Sequence, residues 1–227
     1  MSTISVIIPV LNEAETINGA IEDLFRQRFE GGIEVIVVDG SLRGDTAQAI
    51  AHKDVIKIVS EKGRGKQMNR GASAATGDTL LFLHADTALP VGALSRIVSL
   101  MENGRYVAGA FDLAINSVRP VFRIIERMAS LRARILRVPF GDQAIFVRRA
   151  YFEEIGGYPD IPLMEDVELM KEIKRRGGNI HIISGRVNTS PRRWENEGAL
   201  YCTLRNWIIR ALYSLGVSAE KLARFYK

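Results

Sequence analysis

The chain has one cysteine and three histidines in 227 residues. A single thiol, Cys202, excludes an internal disulfide and a multi-cysteine zinc site, and reads as a packed residue. His52 and His181 have no ligand spacing to another ligating side chain, and no Ser-His-Asp order is present. No apolar run approaches the ~20 residues that cross a bilayer as a helix. Met1-Ser2-Thr3-Ile4 enters a strand pattern at once, without the basic and apolar regions of a signal peptide, so a cytoplasmic location is expected. Aromatic residues make up only 7% of the chain. The segment richest in arginine holds one of them, Phe122. Single-strand nucleic-acid readers interleave rings with charge, so no nucleic-acid partner is expected. Repeats, linkers and low-complexity segments are also missing, which favours one domain, 1–227.

What remains is the composition of an ordinary globular protein, 47% hydrophobic and 25% charged, with a net charge of +5. The charge is unevenly spread. Arg119 to Arg137 carries six arginines and one acid, Glu126. A local basic segment suits an anionic partner such as lipid headgroups or a phosphorylated substrate.

Hydrophobic periodicity gives alternating strands and helices in the first half. Strands are expected at Ile4–Val10, Ile33–Asp39, Val55–Val59 and Leu80–Asp86. Helices are expected at 14–29, 45–51 and 67–75, with Lys62-Gly63-Arg64-Gly65-Lys66 as a loop. Such βαβ units imply a mostly parallel sheet whose strand ends gather at one edge. That edge collects Asn12-Glu13, Asp39, Arg64 and His84-Ala85-Asp86. In the second half, helices are expected at 90–101, 120–138, 151–155, 165–176 and 200–215. Strands are expected at 107–115, 142–148 and 180–183. In the 120–138 helix, Ile124, Met128, Leu131 and Ile135 form one stripe beside Arg123, Arg127 and Arg134. This stripe either faces the core, leaving a solvated arginine face, or rests on an anionic membrane. The C-terminal helix pairs Trp207, Ile208, Leu212 and Tyr213 with Arg205 and Arg210 in the same way.

Each polar motif has a plain and a chemical reading. Asp86 ends an apolar strand where open α/β sheets bind ligands. It either holds a divalent cation or caps a turn. His84 is a ligand, a residue behind one, or a packed imidazole, and imidazole suits Mn²⁺ better than Mg²⁺. Asp39 either accepts hydrogen bonds from a nucleoside or fixes a turn. Lys62, Arg64 and Lys66 can hold phosphates in a glycine-rich loop that is not a Walker loop. Glu165-Asp166 begins a helix, where acids are favoured by the dipole, and can also serve as a general base.

Taken together, these segments resemble the glycosyltransferases of family 2, which have the GT-A fold. Val6-Ile7-Ile8-Pro9-Val10-Leu11-Asn12-Glu13 is similar to the family's opening strand and Pro-x-x-Asn-Glu turn. Glu34–Asp39, followed by Gly40-Ser41 and Asp45-Thr46, resembles its nucleotide-contacting segment. Gly65–Asp78, with Asn69, Ala74 and Gly77-Asp78, resembles the stretch before the metal strand. His84-Ala85-Asp86 falls on the Asp-x-Asp metal motif, with His84 replacing the first acid. Gly156-Gly157-Tyr158 and Glu165-Asp166-Val167-Glu168-Leu169 resemble the acceptor-side segment. The closing stretch from Ser190 to Tyr226 resembles small bacterial members associated with selenium or radical-SAM proteins.

The resemblance implies a Rossmann-like α/β domain with a mostly parallel, mixed sheet flanked by helices. It implies a nucleotide-sugar half, 1–115, and an acceptor half, 116–227, with amphipathic C-terminal helices. The implied activity is transfer from a nucleoside-diphosphate sugar to an acceptor hydroxyl, inverting at the anomeric carbon and dependent on Mn²⁺ or Mg²⁺. Asp166 would be the base, with Glu165 beside it. Pro9, Asn12, Glu13, Asp39, Arg64, Lys66 and Ala85 would hold the nucleotide sugar, and Asp86 with His84 the metal. Asp142, Gln143, Arg193 and Trp194 would face the acceptor. A lipid-linked acceptor would place the protein at the inner face of a membrane. The alternatives are a sugar-1-phosphate nucleotidylyltransferase, which would need a glycine-rich loop after the first strand, and a non-catalytic nucleotide-sugar binding protein.

Overall fold

A computed structural model describes residues 2–226, so Met1 and Lys227 at the ends of the expected domain lie outside the described residues. The first half alternates β1 (Thr3–Val10), α1 (Ile17–Phe25), β2 (Gly32–Asp39), α2 (Asp45–Ala49), β3 (Val55–Val59), α3 (Arg64–Ala74) and β4 (Thr79–Phe82). β1 pairs parallel with both β2 and β4, and β2 with β3. Then follow β5 (Thr87–Ala88), α4 (Ala93–Glu102), β6 (Ala108–Ile115) and α5 (Pro120–Leu136). A 3-10 turn at Gly141–Gln143 leads into β7 (Phe146–Arg148), α6 (Arg149–Glu154), α7 (Glu165–Arg175) and β8 (Ile180–Thr189). The chain closes with α8 (Arg192–Glu197), α9 (Ala199–Ser214) and α10 (Ala219–Ala223).

The strands form one eight-stranded sheet in the order β3-β2-β1-β4-β7-β6-β8-β5. Only β7 and β5 run against the others, so the sheet is mixed, as expected. Alternate residues of β1 feed two cores. Val6 and Ile8 pack with α1 and α4 on one face, and Ile7 packs with α3 and α7 on the other. A strand covered on both faces needs the continuous β-branched run that marks β1 and β2. Gly71 lets α3 lie directly on β1, because a Cβ there would stand 2.4 Å from Ile7 Cγ2.

Several expected boundaries move. The fourth strand stops at Phe82 instead of Asp86, because the chain turns at His84 to find a new partner in β8. The glycine-rich loop is shorter than expected, and Arg64 and Lys66 lie in the first turn of α3. The last strand continues six residues further, to Thr189. Of the strand or strand approach expected at 142–148, only Phe146–Arg148 pairs as β7, and Asp142 and Gln143 belong to the 3-10 turn before it.

The short β7 leaves most of one edge of β6 without a strand neighbour, and α5 covers it. Ser130 Oγ accepts from Leu113 N–H, and Glu126 accepts from Ile115 N–H at 2.7 Å. Arg123 donates to the Ile115 carbonyl, and Gln143 donates to Phe111 C=O. Side chains thus satisfy the backbone groups that a strand would otherwise pair. Further along, Arg134 forms a forked pair with Asp112 and reaches Ile182 C=O and Ser184 across an irregularity in the β6–β8 pairing. Arg137 caps the Ile180 carbonyl. The core-facing reading of the stripe is therefore reversed. Arg123, Arg134 and Arg137 bond inward, Arg127 stays exposed, and Ile124, Met128, Leu131 and Ile135 are exposed as well. Backbone carbonyls at an irregular sheet edge need donors, and long guanidinium side chains can reach them.

Candidate functional site

Turns at the carboxyl ends of the strands bring the site together. After β1, Asn12 takes a left-handed conformation, φ 59°, which asparagine tolerates better than most residues. This swings the chain so that Glu13 faces inward, where it accepts from Arg192 of α8 at 3.0 Å and from Thr16. After β4, Thr87 N–H donates to His84 C=O, closing a tight turn, and Ser190 N–H donates to Asp86 C=O. The turn is thereby pinned to the end of β8.

Two adjoining cavities share Glu13, Arg64, His84 and Asp86 as a common wall. One, about 360 Å³, lies against Pro9, Leu11, Lys62, Gly63, Gln67 and Ala85. The other, about 450 Å³, lies against Asp142, Glu165, Asp166, Arg193, Trp194 and Tyr226. A polar wall between a pocket at the β1 end and a pocket at the α7 end suits a reaction between two bound molecules.

Met164, at φ 68°, is the left-handed residue from which α7 starts. It presents Glu165 and Asp166 to the second cavity. Asp166 is held at both oxygens, accepting from Gly141 N–H at 2.8 Å and from Val167 N–H at 2.7 Å. Burial raises its pKa above the usual carboxylate range, against the pull of those two donors. Glu165 is buried, and Arg64 Nη1 stands 3.8 Å from its Oε1. Burial and the adjacent Asp166 charge push Glu165 up to about 7. The Arg64–Glu165 spacing is set by packing: Asn69 exchanges two hydrogen bonds with the Tyr158 backbone, tying α3 to the Gly156-Gly157-Tyr158 turn.

The metal question turns on His84 and Asp86. Asp86 faces the open cavities, its pKa raised by partial burial and by Glu13. His84 Nε2 is buried without a hydrogen-bond partner. Burial and Arg64 depress the His84 pKa to about 3, so the imidazole is neutral and has a free lone pair. Those two side chains fit a divalent cation as a partial ligand set. Among the described residues no group of three or more His, Cys, Asp or Glu is gathered for a metal, so a bound ion would draw further ligands from substrate and water.

Not every expected residue reaches the cavities. Asp39 is fully buried and accepts from the N–H groups of Ser41, Thr46 and Ala47. It fixes the β2–α2 turn instead of lining a pocket. Lys66 turns to Glu61 at 2.9 Å and Asp160 at 3.6 Å, and Lys62 lines the wall in its place. Asn12 shapes the turn before Glu13 without lining either pocket. Gln143 is buried in the contact between β6 and the 3-10 turn, where it also accepts from Arg132 at 3.2 Å. Pro9, Glu13, Arg64, His84, Ala85, Asp86, Asp142, Glu165, Asp166, Arg193 and Trp194 do converge.

Sequence reasoning passed over Gln67, Arg192, Asn206 and Tyr226. Gln67 joins the ends of β1 and β2, donating to Val10 C=O and Val38 C=O at 2.8 Å each. Its signal was Gly40: a Cβ there would stand 2.9 Å from the Gln67 amide. The other three come from α8, α9 and the C-terminus, and nothing in their local pattern marks them.

Residues 5–158 match the profile of the family described as glycosyl transferase family 2. A glycosyltransferase of PGL/p-HBAD biosynthesis from Mycobacterium bovis (strain BCG / Pasteur 1173P2) is 32% identical over 165 residues, covering 68% of this chain and 62% of the relative. The chain thus spans under two thirds of that relative's length. Among solved structures, the mannosyltransferase PcManGT of Pyrobaculum calidifontis, in complex with GDP-Man and Mn²⁺, superposes with a TM-score of 0.66 at 20% identity, over 82% of this chain and 56% of that one. S. aureus TarS in complex with UDP-GlcNAc gives 0.63 at 19% identity, over 83% and 58%. These likenesses identify the fold as GT-A.

Proposed function

This chain belongs to glycosyl transferase family 2, and from that premise we propose that it transfers a glycosyl group from a nucleoside-diphosphate sugar to an acceptor hydroxyl, with inversion and with a divalent cation. The observation that carries the reading is Asp166. Two backbone N–H donors fix this carboxylate in the wall of a cavity that also exposes Asp86 and Arg64.

The cavity at the β1 end is assigned to the donor and the cavity at the α7 end to the acceptor, as two sides of one catalytic domain. Arg64 and Lys62, at the N-terminus of α3, place positive charge and free N–H groups where a diphosphate would lie. Asp86 and His84 would hold Mn²⁺ or Mg²⁺; when bound, such an ion offsets the charge developing on the leaving diphosphate. Asp166 takes the proton of the acceptor hydroxyl as its oxygen bonds to the anomeric carbon. The bond from that carbon to the diphosphate oxygen breaks, and the nucleoside diphosphate leaves with the electron pair. A general base of this kind contributes about 10²–10⁴ in rate. Glu165 lies beside the base, and its ion pair with Arg64 links the base to the donor side.

No helix among the described residues is long and apolar enough to cross a membrane. The direct test is a panel of nucleotide sugars with and without Mn²⁺, read by release of nucleoside diphosphate. Metal-stimulated release from at least one donor is expected. Its absence across the panel, with the donors shown to bind, would overturn the transferase reading.

A further inference from the structure

A third cavity, a groove of about 410 Å³, lies between α5 and α9. Arg132 and Arg210 stand at its inner end over the Phe140 ring, drawn toward the Asp142 and Asp166 carboxylates. Met128 and Trp207, 43% and 44% exposed, frame its mouth. That mouth adjoins a larger apolar surface. Two thirds of the large apolar residues exposed among the described residues lie on α5, on α9 or at Leu215, the C-cap of α9. On α5, Ile124, Met128, Leu131 and Ile135 recur at helical spacing. On α9, Leu200, Leu204, Ile208, Leu212 and Leu215 do the same along one outward face.

The opposite side of α9 is apolar too, with Ala199, Cys202 and Ile209 buried against the rest of the chain. A helix that is apolar all round is a buried helix, and one copy of the chain buries only one side of it. The two charges of α9 point elsewhere: Arg205 pairs with Glu197, and Arg210 turns into the groove. A helix resting on an anionic membrane instead keeps its basic residues at the headgroups. Neither α5 nor α9 has a lysine, and their one acid, Glu126, is buried. Tyr201, Trp207 and Met128 stand in the surface, and Arg127 borders it. Aromatic residues, Met and Arg without Lys, Asp or Glu make up the composition of a protein–protein interface. The exposed parts of these side chains amount to on the order of 1,000 Å², above the ~800 Å² that each partner gives to a stable complex.

We propose that this surface joins two copies of the chain about a two-fold axis. A two-fold sets a patch against itself, and the outward face of α9, free of charge, meets its own image without repulsion. α9 of one copy packs on α9 of the other, the α5 stripes close the flanks, and the second copy roofs the groove at Met128 and Trp207. The proposal goes beyond the transferase reading and does not depend on it.

Sedimentation of the full chain from about 0.1 to 100 µM tests the pairing. A single step from one copy to two is expected, with a dissociation constant on the order of 1 µM or tighter. The chain's two tryptophans, Trp194 and Trp207, both line the groove, so their emission should move to the red as the dimer is diluted apart. Ile208→Glu puts a charge in the middle of the α9 face and should weaken the dimer about thirtyfold or more. Leu131→Glu should weaken it less. Both positions are more than half exposed in a single copy, so circular dichroism should be unchanged in each variant. Leu42→Glu, at an exposed apolar residue in the β2–α2 turn, should leave the dimer intact. A native chain that stays a single copy across the whole range would overturn the proposal. So would growth past two copies without a plateau, or an Ile208→Glu variant that pairs like the native chain. Single copies that sediment with phosphatidylglycerol vesicles, and cease to do so in Ile208→Glu, would give the face to lipid and overturn the dimer.

Discussion

The donor-side cavity and the groove between α5 and α9 are built by different means. The first is made of turns: Asn12-Glu13 after β1, His84-Ala85-Asp86 after β4, and Gly63-Arg64 at the start of α3. Backbone hydrogen bonds fix each turn, so few side chains are free to be anything else. The second is made of faces, with Met128 and Arg132 from one long helix and Asn206, Trp207 and Arg210 from another. Its shape depends on how two helices meet, which no local pattern specifies. A turn-built site is set by backbone bonds, whereas the shape of a face-built site changes with the packing of its helices.

The sharpest test of this division is Asp166→Asn. Turnover should fall by about 10²–10⁴ while nucleoside-diphosphate affinity, measured by calorimetry, stays close to the native value. A wild-type rate would move the base elsewhere. Next in size is Asp86→Ala. The gain in nucleoside-diphosphate affinity on adding Mn²⁺ should shrink by about tenfold or more; an unaltered gain would remove Asp86 from the metal site. His84→Gln keeps a polar group at that turn and should cost less.

A smaller effect concerns stability. Glu165 titrates at about 7 in the folded protein, chiefly through burial and the neighbouring Asp166 charge. Because that value lies above the unfolded one, ionising Glu165 costs stability. Its penalty is absent at low pH and grows as pH rises from about 4.5 through 7. Glu165→Gln should therefore be more stable than the native chain at pH 8, by roughly 1–3 kcal/mol, and nearly equal to it at pH 5. Urea unfolding at the two pH values checks this, and a less stable variant at pH 8 would mean the Arg64 pair outweighs burial. The smallest effect separates two lysines on one segment. Lys62→Ala should weaken nucleoside-diphosphate binding measurably. Lys66→Ala should change it little, since Lys66 is held by the exposed carboxylates Glu61 and Asp160.

The same division governs what could be read from the chain itself. The strand ends, the Glu165-Asp166 pair and the resemblance to family 2 were legible because each rests on a short stretch with a fixed local geometry. Asp39 shows the limit of such a reading. A carboxylate after a buried strand can serve a ligand or its own turn, and the structure shows the second role, with the N–H groups of Ser41, Thr46 and Ala47 donating to it. The arginine run misled more deeply. Its amphipathic period was real, but the polar face was needed by the β6 edge. That demand appears only once β7 is seen to be too short to pair with all of β6.

The inward arginines have a mechanical consequence. Arg123, Arg134 and Arg137 rivet α5 to the sheet through backbone carbonyls and Asp112, so this helix cannot roll or slide without breaking several bonds at once. Among the described residues α9 is held instead by packing, through buried Cys202 and Ile209 and through the Lys171 ammonium over the Tyr213 ring. The two walls of the groove are therefore fastened differently, one by directional hydrogen bonds and the other mainly by apolar contact.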